Sequence, residues 1–286
     1  MFNSLSKAIH FLRSNGNTTA LVYDDILGDT GVAKDSKTHI PSVNMGYWKD
    51  ISQIDPEKIH IANQAMFKLV SEAAMFSEKD EKVVDIGCGF ATNIKYCLDK
   101  YNIKNMAGLN ISPFQTNWGN HFLKQEGLSS KAEIILGSAT DMPFDDASID
   151  RIISIEAAFH FDTRETFLKE VVRVLKHGGV LSLADLIICK PKNPFQKLFV
   201  KSIMKALYVP AQNVYDYEDY VKHLQKCGLE ILHIEQLNKE VTIPFRKWFW
   251  NRPFSVFFKY NLLWSLTGLG FMFAKLDYLH VVARKK

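Results

Sequence analysis

Cysteine, net charge and long hydrophobic runs are all scarce in this sequence. Its 286 residues include four scattered cysteines, without a C-x-x-C pair or closely spaced histidines, which favours reduced thiols in a cytosol over a disulfide or zinc framework. A net charge of +4 is too small by itself to indicate a nucleic-acid partner. With 47% hydrophobic and 23% charged residues, the composition is globular and excludes disorder for most of the chain.

No stretch is long and apolar enough to predict a membrane-spanning helix. The longest uncharged one near the C-terminus, Tyr260 to Ala274, is shorter than the ~20 residues that a spanning helix needs. The N-terminal segment lacks the apolar core of a signal peptide and predicts a short amphipathic helix that ends at Gly16. We therefore expect a cytoplasmic protein, built as one large α/β domain with additions or as two small domains.

From about residue 81 onwards, short apolar runs alternate with amphipathic stretches. The runs predict buried strands over 82–87, 105–111, 132–139, 150–156 and 179–186, and later over 229–237 and 278–284. The stretches predict helices over 91–102, 113–127, 162–176 and 216–226, the third stopping at the His-Gly-Gly of 177–179. Strands that alternate with helices indicate a parallel sheet in a doubly wound architecture, preceded by a helical extension over residues 1–80.

A glycine-rich turn follows the first predicted strand. The sequence VVDIGCG at 83–89 places glycines where the backbone passes close to a ligand at the carboxyl end of a strand. A dinucleotide fingerprint needs a third glycine where Thr92 stands, and Asp85 would repel a nearby diphosphate. Asp85 instead suits a cationic ligand, an ammonium group, or ordered water around one.

Several motifs, in the right order, resemble those of the class I S-adenosylmethionine-dependent methyltransferases. VVDIGCG is similar to the first motif, GLNISPFQ (108–115) to the second-strand motif that holds the ribose, and GSATDMPFDDASIDRI (137–152) to the loop that holds the adenine. FLKEVVRVLKHGGVLSLADL (167–186) is similar to the helix and strand that follow. Upstream, NMGYW (44–48) resembles the small-molecule branch, which includes sugar O-methyltransferases and tocopherol and sterol C-methyltransferases.

The resemblance implies a fold, a domain organisation and a cofactor. The expected fold is Rossmann-like α/β, with a seven-stranded, mostly parallel sheet and an antiparallel last strand. An N-terminal helical lid over 1–80 would precede a methyltransferase domain over 81–286, with lid insertions at about 187–215 and 238–277. The cofactor would be S-adenosyl-L-methionine, and the residues implied to bind it are Tyr47, Asp85, Gly87, Gly89, Asn110, Gln115, Ser138 and Ala139.

The chain departs from the family pattern at three positions. Asn110 stands where an acid usually holds the ribose, Ser138 replaces the acid of the adenine loop, and Ala91 replaces a third glycine. An amide still binds hydroxyls, but it lacks the charge-assisted hydrogen bond of a carboxylate. We therefore expect weaker cofactor binding than is typical.

Two residues are candidates for the chemistry, because an alcohol or phenol acceptor benefits from a general base. His160 follows the fourth predicted strand, where related sugar O-methyltransferases carry a histidine that they, or a neighbour, use as base; the alternative is a packing role. Asp185, at the end of the fifth strand, is the partner position in these relatives, to orient the imidazole or take the proton; the alternative is a capping or lid-anchoring carboxylate. No residue set marks a catechol-type magnesium site, so no metal is expected.

Two segments are basic and free of acids. Five lysines lie between Asp185 and Asp216, and five basic residues with eleven aromatics lie between Glu240 and Asp277. The topology predicts that both cover the active site. A basic amphipathic helix over 194–208 is typical of proteins that contact anionic membrane surfaces, whereas the alternative is a lid over an apolar substrate.

The sequence thus predicts methyl transfer from S-adenosylmethionine to a hydroxyl of a hydrophobic small molecule, such as a natural product, glycoside or lipid. Motifs of nucleic-acid methyltransferases are missing, so we expect no nucleic-acid partner, while peripheral contact with anionic membrane stays open. Two alternatives remain. One is C-methylation of a prenyl or sterol-type ring, which needs no alcohol base. The other is a cofactor-binding protein without catalysis.

Overall fold

One seven-stranded sheet organises the part of the chain that the computed structural model describes, namely residues 44–51, 54, 58–250 and 275–286. The strands run in the order β3-β2-β1-β4-β5-β7-β6, and β7 alone lies antiparallel to its neighbours. Their bounds are β1 Val83–Ile86, β2 Met106–Asn110, β3 Ala132–Leu136, β4 Ile149–Ile155, β5 Leu175–Ile188, β6 Leu229–Gln236 and β7 Leu276–Lys285. The predicted α/β fold with an antiparallel last strand is confirmed.

The α-helices within the described ranges are α1 Ile59–Ala73, α2 Thr92–Lys100, α3 Pro113–Gln125, α4 Arg164–Val174, α5 Pro194–Ala206, α6 Tyr217–Lys226 and α7 Ile243–Trp250. Three of them begin at side chains that accept a backbone N–H from the first turn: Ser112, Thr163 and Asn193. None of the described helices is both long and apolar enough to cross a membrane. The predicted helix ending at Gly16 and most of the aromatic segment, including Trp264, lie outside the described residues.

Helices cover both faces of the sheet, which explains why the strands read as continuous apolar runs. Side chains of α1, α2 and α3 pack on one face, and those of α4 and α6 pack on the other. In β1, Val83 contributes to the first core, whereas Val84 and Ile86 contribute to the second. Every residue of β1 and β2 is buried.

The predicted helix stop at residues 177–179 is wrong. Helix α4 ends at Val174 and β5 begins at once, so the His-Gly-Gly lies inside the strand. The register between β4 and β5 jumps there, from Ile149 opposite Leu175 to Arg151 opposite Val180. A bulge absorbs the extra residues, with Gly178 at a φ of +77°, so these glycines serve a strand irregularity and not a helix end.

Candidate active site

A cleft of about 390 Å³ opens at the carboxyl ends of β1, β2 and β4. The sheet order reverses between β1 and β4, the position where open α/β sheets bind ligands, and the volume lies in the range of small-molecule sites. Seven of the eight predicted cofactor residues line it: Asp85, Gly87, Gly89, Asn110, Gln115, Ser138 and Ala139. His160 lines it as well, whereas Tyr47 and Asp185 are not among its lining residues.

The turn after β1 leaves backbone in contact with the cleft. Gly87 has a φ of +75°, and a Cβ there would lie 2.3 Å from the Cβ of Ala157. Gly89 has a φ of +55° and would meet nothing within 4 Å, because that side is open. Ala91 keeps a φ of +64° although it carries a side chain, so the backbone holds the shape that a glycine at this position would favour.

Asp85 places a buried carboxyl group at the floor of the cleft. Its side chain is only 2% exposed, and Asn93 Nδ2 donates to Oδ2 over 3.0 Å. Burial raises the pKa of Asp85 to about 7, opposed by that hydrogen bond. A ligand cation beside it would favour the ionised form, so the site fits the ammonium end of S-adenosylmethionine.

Asn110 joins the glycine turn to helix α3. Its Nδ2 donates to the Gly89 carbonyl over 3.1 Å and to Gln115 Oε1 over 2.9 Å. Its Oδ1 accepts the backbone N–H of Ser112 over 2.9 Å. Both amide hydrogens are therefore used within the protein, and a ribose hydroxyl would meet the remaining lone pair of Oδ1.

The loop after β3 forms the opposite wall. Ser138 Oγ lies 2.9 Å from Thr140 Oγ1 and accepts the Thr140 backbone N–H over 3.2 Å, so the hydroxyl shapes its own loop. Gly137 N–H donates to the Asn110 carbonyl over 2.9 Å, and Ala139 is buried. These contacts place the predicted adenine loop beside the predicted ribose position.

His160 ends a short 3₁₀ turn, Ala158–His160, directly after β4. Burial lowers the pKa of His160 to about 4, while hydrogen bonding to the backbone of Tyr208 and Leu207 acts in the opposite direction. The imidazole is therefore neutral near pH 7. Because Leu207 and Tyr208 follow α5 directly, the first basic segment contacts His160.

The structure does not bring Asp185 to His160. The carboxylate is fully buried, lies 2.7 Å from Arg164 Nε, and accepts the Tyr220 hydroxyl over 3.0 Å. Successive side chains of a strand point to opposite faces, and Asp185 points to the face that α4 and α6 cover. These contacts are those expected of a carboxylate that anchors neighbouring elements, and they do not include the contact with His160 that a proton acceptor or orienting partner would need.

Sequence reasoning missed Arg164 and Asn213, which hold the His160 turn from behind. Arg164 donates to the Asn213 carbonyl and, over 2.6 Å, to the Leu186 carbonyl. Asn213 Nδ2 donates to the carbonyls of Phe159 and Phe161, over 3.1 and 2.7 Å. The only signal was an arginine in the first turn of a helix, where the helix dipole disfavours a positive charge.

Glu156 connects the NMGYW segment to the sheet. Its Oε1 accepts the Met45 backbone N–H over 2.8 Å and the Tyr278 hydroxyl over 2.9 Å. Burial raises the pKa of Glu156 to about 7. Tyr47 itself is half-buried; burial, then the charges of Glu235, Glu240 and Asp50, raise its pKa. The cofactor contact of Tyr47 stays a prediction.

The chain is similar to known methyltransferases in both sequence and fold. The profile of the family described as "Methyltransferase domain" matches residues 84–183. The erythromycin 3''-O-methyltransferase of Saccharopolyspora erythraea is 30% identical over 207 residues, which cover 71% of this chain and 66% of that protein. The aligned part thus spans just under two thirds of this relative's length.

Two solved structures share the fold. Geranyl diphosphate C-methyltransferase from Streptomyces coelicolor A3(2) superposes with a TM-score of 0.72 and 14% identity, over 91% of this chain and 97% of that one. The [4+2]-cyclase SpnF gives 0.72 and 16%, over 93% and 95%. Residues 84–183 belong to this methyltransferase family, the fold is that of the class I S-adenosylmethionine-dependent enzymes, and S-adenosylmethionine is the cofactor.

Proposed function

We propose that this protein transfers a methyl group from S-adenosylmethionine to a hydroxyl of a hydrophobic small molecule, such as a natural product, glycoside or lipid. The observation that carries the proposal is the position of His160. A neutral imidazole lines the same cleft as the glycine turn and Asp85. Aromatic side chains, Phe67 and Phe161 among them, also line the cleft and suit an apolar acceptor.

Each residue has a separate task in this proposal. When bound, the cofactor supplies an activated methyl group on a positively charged sulfur. Asp85 holds the ammonium group, the turn at Gly87 and Gly89 admits the ligand against backbone, and the walls at Asn110 and Ser138 receive the nucleoside. Such positioning accounts for much of the rate of a displacement whose leaving group is already good.

His160 takes the proton of the acceptor. As the oxygen–carbon bond forms, the hydroxyl oxygen becomes positively charged and its proton becomes strongly acidic. An imidazole nitrogen with a pKa of about 4 accepts such a proton, and the low pKa keeps the ring neutral beforehand. The sulfur leaves as a neutral thioether, and the proton passes from His160 to solvent.

C-methylation of a prenyl or sterol-type ring is the second candidate, and Glu156 favours it. A ring carbon that receives a methyl group becomes cationic and must then lose a proton. The Glu156 carboxyl lines the cleft, and burial raises its pKa to about 7, a value suited to accepting that proton. In this case Glu156→Gln should impair turnover more than His160→Ala.

Isothermal titration with S-adenosylmethionine and its demethylated product tests the binding part of the proposal. We expect one ligand per chain for both compounds. A cofactor-binding protein without catalysis would bind both as well, so binding must be combined with turnover. If the protein bound neither compound, the proposal would be contradicted for O-methylation and for C-methylation alike.

We also propose that α5 brings the active site to an anionic membrane surface. Phe195 and Leu198 are 61% and 62% exposed, although the opposite side of the helix is buried at Val200 and Ile203. The exposed apolar side chains lie beside three exposed lysines, Lys197, Lys201 and Lys205. Because the residues after α5 contact His160, an acceptor dissolved in lipid would lie close to the cleft.

Co-sedimentation with vesicles tests this contact. The protein should bind vesicles that contain anionic lipid and should be released by salt, since each lysine near the surface contributes ~1 kcal/mol within a Debye length. The matched variants replace three lysines by glutamine: Lys197, Lys201 and Lys205, or the exposed Lys100, Lys104 and Lys131 at the opposite edge of the sheet. Only the first set should weaken binding, by at least about tenfold. No sedimentation at low salt would leave α5 as a lid over the substrate.

A further inference from the structure

Two histidines and a glutamate meet at the β6 edge of the sheet, away from the cleft. Glu235 on β6 lies directly opposite His280 on β7. His233 precedes Glu235 by two residues on the same strand, so its side chain points to the same face. None of the three lines the cleft. Since Glu235 and His280 are far apart in sequence, no metal-binding motif in the sequence predicts this cluster.

The three side chains have the spacing of metal ligands. Glu235 Oε1 lies 3.4 Å from His233 Nε2 and 3.7 Å from His280 Nδ1, and each of the three residues offers a ligand atom within 4.8 Å of those of the other two. Bonds of about 2.0–2.1 Å to a tetrahedral ion put its ligand atoms about 3.3 Å apart. Small side-chain rotations would therefore close the set around one ion.

A hydrogen bond behind His280 directs a lone pair into the cluster. Ser182 Oγ donates its proton to the Val70 carbonyl over 2.8 Å, so towards His280 Nε2, 3.4 Å away, it can only accept. His280 Nε2 then carries the ring proton and Nδ1 carries a lone pair. This buried Nδ1 has no hydrogen-bond partner among the described residues, and it faces a carboxylate oxygen. Histidines that bind metals usually have their other ring nitrogen held by a hydrogen bond in this way, which fixes the tautomer and the orientation of the ring.

We infer that His233 Nε2, Glu235 Oε1 and His280 Nδ1 bind one divalent transition-metal ion, of which Zn²⁺ is the representative. Two imidazoles and one carboxylate suit zinc and its neighbours better than magnesium or calcium. His233 is 51% exposed, which gives the ion a path from solvent and leaves a fourth position for water. The ion would fasten the edge strand β6 to β7.

Zinc titration of the untagged, chelator-treated protein tests the site. We expect one Zn²⁺ per chain, and a loss of zinc affinity of at least about 100-fold in His233→Ala. Because the His233 side chain is 51% exposed, this substitution should leave the fold intact. His223→Ala is the matched control, because His223 pairs with a single carboxylate, Glu165, over 3.1 Å. Cys227→Ser removes the one cysteine that is not buried. Both controls should bind zinc like the wild type.

Two further readouts do not depend on enzymatic activity. Co²⁺ in place of Zn²⁺ should give the visible absorption of a low-coordinate site in the wild type and not in His233→Ala. Zn²⁺ should also raise the Tm of the wild type and of both controls, but not that of His233→Ala, since binding to the folded state stabilises it by mass action. Equal zinc affinity in the wild type and His233→Ala, or loss of binding in Cys227→Ser, would overturn the inference.

Discussion

The two sides of the cleft are built differently. On the cofactor side, the side chains of Asn110, Ser112 and Ser138 in the loops after β2 and β3 form hydrogen bonds with residues two to five positions away in the sequence. On the acceptor side, the His160 turn is held by a buried network that joins α4, β5, α6 and the segment after α5. Because these hydrogen bonds are local, the cofactor side can be predicted from short sequence motifs. The His160 side depends on contacts between residues that are distant in the sequence, so short motifs do not predict it.

Gly87→Arg should produce the largest effect, on the cofactor side. Even a Cβ at this position would lie 2.3 Å from Ala157 Cβ, and the longer side chain would fill the backbone approach to the ligand. We expect no S-adenosylmethionine binding in isothermal titration. Gly127→Arg is the matched control, since Gly127 also has a positive φ but lies in open space. Binding by Gly87→Arg would refute the placement of the cofactor.

Asp185→Ala should damage the acceptor side through stability. Removing the carboxylate leaves the buried Arg164 charge unpaired, which costs about 3–5 kcal/mol in the free energy of unfolding. Asp146→Ala is the control, because the Arg173–Asp146 pair has a similar length but Asp146 is 78% exposed, and we expect about 0–1 kcal/mol. Urea denaturation measures both. Equal losses would show that the buried pair is not the anchor.

His160→Ala should lower kcat by ~10²-fold while the affinity for S-adenosylmethionine stays close to that of the wild type. His177→Ala, at the bulge of β5, should have no effect on kcat. Because the pKa of His160 is about 4, kcat of the wild type should not fall through protonation of this group until the pH approaches 5. Full activity of His160→Ala would contradict the role of His160 as base and would favour C-methylation over O-methylation.

The smallest expected effect is a pH dependence on the cofactor side. With a pKa of about 7 in the free protein, Asp85 becomes neutral below that pH and no longer attracts an ammonium group. The dissociation constant for S-adenosylmethionine should be lowest between about pH 7 and 8, where Asp85 is ionised and the α-amino group of the ligand, with its usual pKa of about 8, is still protonated. Below that range it should rise towards tenfold per pH unit. Asp85→Asn should bind weakly without this slope, whereas Glu156→Gln should retain it. If Asp85→Asn showed the same pH dependence of the dissociation constant, a group other than Asp85 would be responsible for it.

Much of the fold and of the cofactor side could be predicted. The strands are buried on both faces and therefore stand out as apolar runs, and the motifs follow strand ends that the parallel topology gathers at one edge. Seven of the eight predicted cofactor residues line the cleft for this reason. The His-Gly-Gly of 177–179 was misjudged because glycines serve bulges as well as helix ends.

The acceptor side could not be predicted in the same way. Asp185 was placed at the correct strand end, but the face to which it points depends on the pairing of β4, β5 and β7. Its partners Arg164 and Tyr220 come from two different helices, so no spacing in the sequence connects them. Residues that meet only through tertiary packing leave little local signal.

Methyl-labelled S-adenosylmethionine gives the most direct test of methyl transfer to a hydroxyl. The protein would be incubated with the labelled cofactor and fractionated hydrophobic extract, and products that gain the label would be analysed by mass spectrometry and NMR. We predict a labelled methyl group on oxygen, formed by the wild type and at least ~10²-fold more slowly by His160→Ala. A label on carbon, or a product formed equally fast without His160, would contradict the account.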